Sequence, residues 1–378
     1  MNIKASVPHK INLKKMNNKN YNCASSEILY FEEPYIQDSI VSSRISSHNS
    51  VNTLDNVDNF IIRVLPTGTG EFSDLSSSSI LMNCKIVKMN KEIINKDDLV
   101  GPINYYLNTI FRNIRVSING TEIATCDQYP LKAYIEATFN FNQEQKDTFL
   151  RTSGYIKDMA GQMDDTLKKE GDLVICKNEG LINRRKDFIE SSVEVFGSLH
   201  TDANSVIRLI PPECIIEFFF EIEDQSHILM YSNEDCKYKF ILEKIELFIR
   251  RVTLNEDTRM DLSKKLLNES AIFPINRIII NQHPINSGLN SKTINLFERN
   301  AKREIPKSFL LLFRDAETRN GKFQLNPFNF QHFGISQLEV KLDGRCFPWD
   351  KIDFSFEKIA KKYARGYNSL ITGLGMSL

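Results

Sequence analysis

The sequence predicts a mainly β protein with two antiparallel β-sandwich or jelly-roll domains in tandem, with short helices in long inserts. A block of sequence that occurs twice supports this prediction. Each copy has a Pro-x-Asn-aromatic segment and then alternating apolar and polar residues that end in Asx-Gly, at 102–120 and 327–344. Such alternation is typical of a half-buried strand. Turn residues also recur between the strand-like runs, as they do in all-β domains.

Eight residues of the repeated block are expected to fix its geometry. Proline sets its own φ and therefore the direction in which the chain leads into a strand. Asn-Gly or Asp-Gly after a strand predicts a type I′ hairpin turn, because both central residues need a positive φ. We therefore expect structural roles for Pro102, Asn104, Asn119 and Gly120 in the first copy and for Pro327, Asn329, Asp343 and Gly344 in the second.

Composition places the chain among globular proteins. Of its 378 residues, 41% are hydrophobic and 25% are charged, and the formal net charge is +0, so no overall electrostatic attraction to nucleic acid or membrane is expected. The seven cysteines are scattered without a CxxC pair, which indicates reduced thiols and no zinc site. Because the N-terminus lacks an apolar signal region and no apolar run is long enough to span a membrane, we expect an intracellular, soluble protein.

Three regions are predicted from the pattern of elements. They are an N-terminal arm at 1–55 that is partly disordered, a first jelly roll at 56–255, and a second jelly roll at 256–378. Strands are predicted at 60–65, 80–89, 188–199, 206–210, 214–222, 238–254, 275–280, 292–296 and 308–313, and helices at 132–138 and 257–268.

The two copies of the block differ in the length of chain after them. Ala133-Tyr134 comes after the first hairpin, and many strand-like residues lie beyond it. Gly366-Tyr367 comes after the second hairpin, and only 368–378 remain. If the two domains are alike, the second jelly roll lacks its last strands, so we expect it to be incomplete.

No group of residues predicts catalysis, cofactor binding or metal binding, and an enzyme is not expected. The six histidines form no HxH or HExxH pair. His227 lies near Glu223 and Asp224, and we interpret this group as a solvated strand end. The same reasoning predicts a solvated loop at 164–165 and a surface basic patch at 184–186.

Lysines dominate the start of the chain before any acidic residue occurs. An arm of this kind can neutralise phosphates without reading a base sequence, so one hypothesis is contact with packaged DNA. The alternative, which we favour, is a solvated tail. The lysines concerned are Lys4, Lys10, Lys14, Lys15 and Lys19.

Several segments together resemble the hexon-type major capsid protein of Polinton (Maverick) elements and adintoviruses. YPLKAYIE at 129–136 is similar to that family's YPYRAYIE, and KDMAGQMD at 157–164 is similar to its KDTAGxMD. GSLHTD at 197–202 resembles its GRLHxD turn, and NPFNFQHFGI at 326–335 resembles its NPFNFxHYGI segment. The resemblance covers about 60–375 in the same order.

The resemblance implies a double jelly roll that trimerises into pseudo-hexagonal capsomers of an icosahedral shell around double-stranded DNA. It also implies a minor (penton) capsid protein as partner and location in a virion, after assembly in the nucleus or cytoplasm. Members of the family continue through further strands beyond the position of Leu378. The alternative is therefore a domesticated jelly-roll module that binds a glycan or a protein without building a capsid.

Overall fold

A computed structural model describes residues 38–54, 58–233, 237–295, 306–342, 344–346 and 350–373. The chain divides into two compact units, Met1–Ser39 and Ile40–Leu378. Almost all of the first unit lies outside the described ranges, and every described strand and helix belongs to the second.

Strands dominate the described part of the chain. They are β1 Ile40–Asn49, β2 Asn59–Val64, β3 Phe72–Lys88, β4 Gly101–Pro102, β5 Phe111–Ile118, β6 Thr121–Asp127, β7 Lys168–Glu170, β8 Leu173–Ile175, β9 Val193–Ser198, β10 Ile216–Ile222, β11 Leu229–Met230, β12 Tyr238–Leu254, β13 Gln337–Leu338, β14 Lys341–Leu342, β15 Arg345–Cys346 and β16 Ile352–Asp353.

Helices are short, and all but the last of them lie between strands. They are α1 Tyr106–Thr109, α2 Tyr129–Asn140, α3 Gln143–Asp147, α4 Glu179–Phe188, α5 Gln225–Ile228, α6 Glu256–Asn268 and α7 Ala364–Gly373, with single 3₁₀ turns at Leu150–Ser153, Asp202–Ser205 and Ala316–Asn320. None of the helices in the described ranges has both the length and the apolar character that crossing a membrane requires.

Eight strands form two four-stranded antiparallel sheets, in the orders β1-β12-β3-β9 and β2-β10-β5-β6. Their pairing is nested along the chain. The first strand pairs with the last (β1 with β12), the second with the second last (β2 with β10), then β3 with β9 and β5 with β6. This is the pairing of a jelly roll, in which a long folded ribbon is rolled into two facing sheets. The predicted mainly β fold is confirmed.

Alternating side chains from both sheets fill the space between them. In β10, Phe218 and Phe220 point inward and are fully buried, while Phe219 between them is partly exposed. Phe60 of β2 stacks on Phe220 with ring centroids 4.9 Å apart. Ile245 and Leu247 of β12 enter the same core from the opposite sheet. Burying each such side chain contributes about 1.5–3 kcal/mol.

The first repeated hairpin has the turn geometry that two residues of positive φ produce. Asn119 and Gly120 connect β5 to β6 with φ of 51° and 76°. The Asn119 backbone N–H donates to the Ile215 carbonyl at 2.9 Å, and its side-chain oxygen accepts from the Ile215 N–H at 2.9 Å. The turn therefore also aligns the start of β10.

Strand β1 lies inside the range that the sequence predicts as an arm. Its pairing with β12 from Ile40 to Asn49 makes it part of the first jelly roll. Most of its residues are exposed, including Val41 and Ile45 as well as serines and Arg44, so no alternation of buried apolar residues marks it as a strand. Arg44 donates from Nε and Nη2 to the two carboxylate oxygens of Glu71 at 2.7 and 2.6 Å, which ties this edge strand to the chain just before β3.

Several strands predicted downstream are absent from the described residues. The stretches 206–210, 275–280 and 308–313 contain no strand, since most of their backbone groups have no neighbouring strand to pair with. The only long-range bridge there joins Ile210 to Ser73. In the 256–378 range, the described residues form two short ladders, β13 with β16 and β14 with β15. The division into two jelly rolls stays a prediction.

The described cysteines, Cys84, Cys126, Cys176, Cys214 and Cys346, are free thiols. Burial raises the pKa of Cys126 to about 12 and holds that of Cys84 well above its usual value. Both thiols therefore stay protonated at neutral pH, and neither is activated as a nucleophile.

Gly120→Val tests the hairpin turn. An ideal Cβ at Gly120 meets nothing within 4 Å, so the cost comes from the positive φ alone, and we expect about 1–2 kcal/mol of lost stability by denaturant unfolding. Gly68→Val is the matched control, since Gly68 has equal space and no positive φ. Equal losses in the two variants would contradict this role for Gly120.

The Arg44–Glu71 pair predicts a pH dependence. Hydrogen bonding and charge from Arg44 lower the pKa of Glu71 from about 4.5 to about 2. A lowered carboxyl pKa gives stability that is present above the usual value and is lost as the pH falls through the folded value. Wild type should therefore lose more stability between pH 4.5 and 2 than Glu71→Gln. Parallel pH profiles of unfolding for the two proteins would refute this.

Candidate functional site

A buried polar cluster, the Arg184 cluster, joins segments that lie far apart in the sequence. Arg184 is 0% exposed and donates from Nη2 to Asp158 Oδ1 at 2.7 Å. Its Nε donates to the Pro102 carbonyl at 2.9 Å, and its Nη1 donates to the Ile156 carbonyl at 2.7 Å. Asn178 Nδ2 donates to the same Asp158 oxygen at 2.9 Å. One guanidinium thus holds the start of the first repeated block against the 157–164 segment.

Helix α4 places this arginine inward. Leu181, Arg185 and Phe188 are buried with it, so one face of the helix packs onto the body. Gly180 allows the close approach, because a Cβ there would lie 2.5 Å from the Lys157 carbonyl oxygen. The prediction of a surface basic patch at 184–186 was wrong for the two arginines. The spacing of Leu181 and Phe188 around them was the signal for a buried helix face.

The second repeated block docks onto the same cluster. Asn326 Nδ2 donates to Asp158 Oδ2 at 3.2 Å, and the Asn326 N–H donates to Asp164 Oδ1 at 2.8 Å. Asn329 Nδ2 donates to Asp164 Oδ2 at 2.5 Å. Asp164 is half-buried and occupied by these contacts, so the predicted solvated loop at 164–165 was wrong at this residue.

An aromatic contact completes the docking. Phe328 is 2% exposed and stacks on Tyr134 of α2, with ring centroids 4.2 Å apart and planes 8° from parallel. Burial keeps the pKa of the Tyr134 hydroxyl above its usual value. Pro327 lies between the buried residues Asn326 and Phe328, in a turn that the Asn329 N–H closes by donating to the Asn326 carbonyl at 3.1 Å.

The residues that lead into the first block are also buried. Pro102 lies in β4, which pairs with β11 through Leu229. Asn104 is fully buried, and its Oδ1 accepts from the Ile156 N–H at 2.9 Å. Gly344 has a φ of 78° between β14 and β15. Asp343 and the lysines Lys4, Lys10, Lys14, Lys15 and Lys19 lie outside the described residues.

A second buried cluster, the His200 cluster, surrounds α2. The His200 ring nitrogens lie 2.7 Å from the Tyr105 hydroxyl and 2.7 Å from Glu136 Oε2. The Tyr129 hydroxyl accepts from the His200 N–H at 2.9 Å and donates to Asn108 at 2.7 Å. Burial raises the pKa of both tyrosines, so they remain neutral hydrogen-bonding groups.

Lys132 of α2 is buried beside the His200 cluster. Its Nζ lies 2.5 Å from Asp202 Oδ1 and 4.0 Å from Glu136 Oε1. This places YPLKAYIE at 129–136 directly against GSLHTD at 197–202. Sequence reasoning selected both segments as motifs but assigned no role to their charged residues.

One group of potential metal ligands occurs among the described residues. Single ligand atoms of Glu223, Asp224 and His227 lie within 4.8 Å of one another. Asp224 is exposed and the other two are half-buried. Structural metal sites generally enclose their ion with four ligands, whereas this group offers three at the surface.

Comparison with known proteins gives similarities at low identity. No protein-family profile matches the chain. An uncharacterized protein of Caenorhabditis elegans is 21% identical over 323 residues, which is 82% of this chain and 72% of that protein.

Among solved structures, the Sputnik virophage cryo-EM structure aligns with a TM-score of 0.39 at 10% identity, over 67% of this chain and 54% of that chain. The Faustovirus major capsid protein aligns with a TM-score of 0.36 at 10% identity, over 64% of this chain and 59% of that chain. The mavirus major capsid protein aligns with a TM-score of 0.33 at 9% identity, over 68% of this chain and 54% of that chain. The chain spans little more than half the length of these structures. TM-scores of this size do not establish a common fold, so the function has to be argued from the chain's own residues.

Arg184→Ala should destabilise the protein by about 3–5 kcal/mol, because it leaves the buried Asp158 carboxylate without its counter-charge. Arg63→Ala is the control, because its ion pair with Glu217 is partly exposed to solvent and should be worth less than about 1 kcal/mol. Denaturant unfolding measures both. A loss for Arg184→Ala as small as that for the control would show that the cluster does not hold the segments together.

Proposed function

We propose that the protein is a structural subunit of a virus-type capsid and acts by self-association, without catalysis. The observation that carries this proposal is a complete eight-stranded jelly roll onto which the second repeated block docks through the buried Arg184 cluster. A rigid β-sandwich extended by a tightly held second module is suited to forming a wall. The family resemblance of the motif segments supports the same role, since those segments build both buried clusters.

The docking contacts explain why the motif segments of a capsid-type subunit lie in its interior. Asp158 receives hydrogen bonds from Arg184 and Asn178, which belong to α4 and its N-cap, and from Asn326, which lies far away in the sequence. Buried charge pairs of this kind are costly to break once formed. A subunit held this way keeps its two modules in a fixed arrangement while forces act on the shell.

Large apolar side chains are exposed beyond the jelly roll. None of the residues of α6 is buried, and Leu267 at its end is 85% exposed. Ile272 is 73% exposed in the segment after the helix. Exposed apolar residues grouped in one region indicate an association surface. We assign this surface, 260–279, to contact between copies of the subunit.

In its full form the proposal is a homotrimer that forms pseudo-hexagonal capsomers of an icosahedral shell around double-stranded DNA. A minor penton protein would fill the vertices, and the virion would be the place of action. Non-specific DNA contact through the N-terminal lysines stays a separate hypothesis, which rests on the sequence alone and is less favoured than a solvated tail.

The native mass of the purified protein tests the proposal. Light scattering after size exclusion should give three times the chain mass of 43.6 kDa, and electron microscopy of concentrated samples should show closed particles. A monomer at all concentrations would contradict the proposal and favour the alternative of a non-assembling binding module.

Substitution of the exposed surface localises the contact. Leu267→Asp combined with Ile272→Asp should reduce the trimer fraction, because a charged group in the core of an interface cannot be solvated. Leu173→Asp is the matched control, since Leu173 is 71% exposed on the β7–β8 hairpin, which lies outside 260–279. Equal loss of trimer in the two proteins would exclude 260–279 as the interface.

A further inference from the structure

We propose that Lys132 and Asp202 become joined by an amide bond between their side chains, within one chain. The two groups are already in contact, with Nζ of Lys132 2.5 Å from Oδ1 of Asp202. Their side chains are 2% and 4% exposed. A lysine amine and an aspartate carboxyl held together in this way are the two reactants of amide formation, at the high effective concentration that a folded site provides.

Burial shifts the balance from the separate ammonium and carboxylate ions toward the amide. In water the separate ammonium and carboxylate are well solvated, and condensation to an amide is unfavourable. Inside a protein, removing two ions from water costs several kcal/mol for each ion, whereas an amide carries no charge. The neighbours Ala133 and Ala203 are both fully buried in the main core, so the pair has little access to water. The water molecule formed together with the amide departs from the site, and few other water molecules can enter it.

A third group is in place to move protons. Glu136 Oε1 lies 4.0 Å from Lys132 Nζ, one helical turn along α2. The other carboxylate oxygen of Glu136 is hydrogen-bonded to the His200 ring at 2.7 Å, which fixes its orientation. In the His200 cluster, Glu136 is thus the proton carrier and His200 is a positioning residue.

The reaction balances without an external reagent. Lys132 passes a proton to the Asp202 carboxylate, and the lone pair of its neutral nitrogen then attacks the carbonyl carbon of the resulting Asp202 carboxyl group. The new C–N bond forms, the C–OH bond breaks, and the hydroxyl leaves as water with a proton relayed by Glu136. One ammonium and one carboxylate yield one amide and one water, and no atom is oxidised or reduced.

The bond would fasten the helix that receives Phe328 to the loop after β9. Lys132 lies in α2, which carries Tyr134, and Asp202 opens the 3₁₀ turn before β10. A covalent link between residues 70 positions apart restricts the unfolded chain in the way that a disulfide does. It would do so in a reducing compartment, where disulfides are not maintained.

Mass spectrometry of the full-length wild-type protein tests this inference. The intact denatured chain should be lighter than its sequence mass by one water molecule. A protease digest should contain one branched peptide that joins the segments with Lys132 and Asp202. An intact mass equal to the sequence mass, with both segments recovered as separate linear peptides, would overturn the proposal.

The same digest contains an internal control. Lys169 and Asp97 are in contact at 2.6 Å, but their side chains are 42% and 74% exposed. They should be recovered unlinked, because water solvates both ions. A link at this exposed pair as well would show that contact alone causes the reaction and would overturn the role assigned to burial.

Two variants test the chemistry. Lys132→Arg keeps the charge, as in the YPYRAYIE segment, and should have the full sequence mass. Glu136→Gln keeps the hydrogen-bond acceptor but not the proton carrier, and should slow the appearance of the branched peptide after refolding by about a hundredfold or more. Linking by Glu136→Gln at the wild-type rate would exclude Glu136 as the proton carrier.

Discussion

Strand β12 is the element on which the rest of the structure depends. It hydrogen-bonds to β1 on one side and to β3 on the other, so it is the strand that joins β1 to the β3-β9 pair. Its partner strand β3 begins at Phe72, whereas β12 begins only at Tyr238. Most of the module must therefore be synthesised before its central contacts form. Folds dominated by such distant pairings fold slowly, because loop closure precedes the gain from contacts.

The two buried polar clusters complement this sheet framework in a different way. Apolar packing between the sheets is tolerant of small shifts. A guanidinium that donates hydrogen bonds to three acceptors, in contrast, permits only one arrangement of those acceptors. Arg184 therefore defines where α4 and the start of the first block lie. Asp158 and Asp164 then define where the second block lies, through Asn326 and Asn329. The jelly roll supplies most of the burial, and the clusters supply the alignment.

Much of the jelly roll could be predicted from the sequence, and the reasons are local. Strand β12 was predicted with its observed bounds, because apolar residues recur along it even though its register shifts between Leu242 and Lys244. The Asn119-Gly120 turn was evident because few other residue pairs favour two positive φ values. β1 was missed because its pairing is made by the backbone, and its serine-rich side chains carry no period.

The clusters were less accessible to sequence reasoning. A charged residue is exposed far more often than buried, so Arg184 was predicted at the surface. Its partners are distant in the chain, and only the folded structure brings Asp158 and Pro102 to it. The motif segments were selected from the sequence by their resemblance to a family and not by any predicted contact. Their physical meaning, as the residues that meet inside the protein, depends on the long-range topology.

The nested pairing also places the two ends of the jelly roll side by side. Ile40 at the start of β1 is directly opposite Leu254 at the end of β12. A module whose ends are neighbours can be copied or inserted as a unit, because the flanking chain enters and leaves at the same place. The same geometry means that a short linker from 254 to 40 would leave every sheet contact intact. The jelly roll is thus suited to circular permutation, with new termini at an exposed loop such as the β7–β8 hairpin.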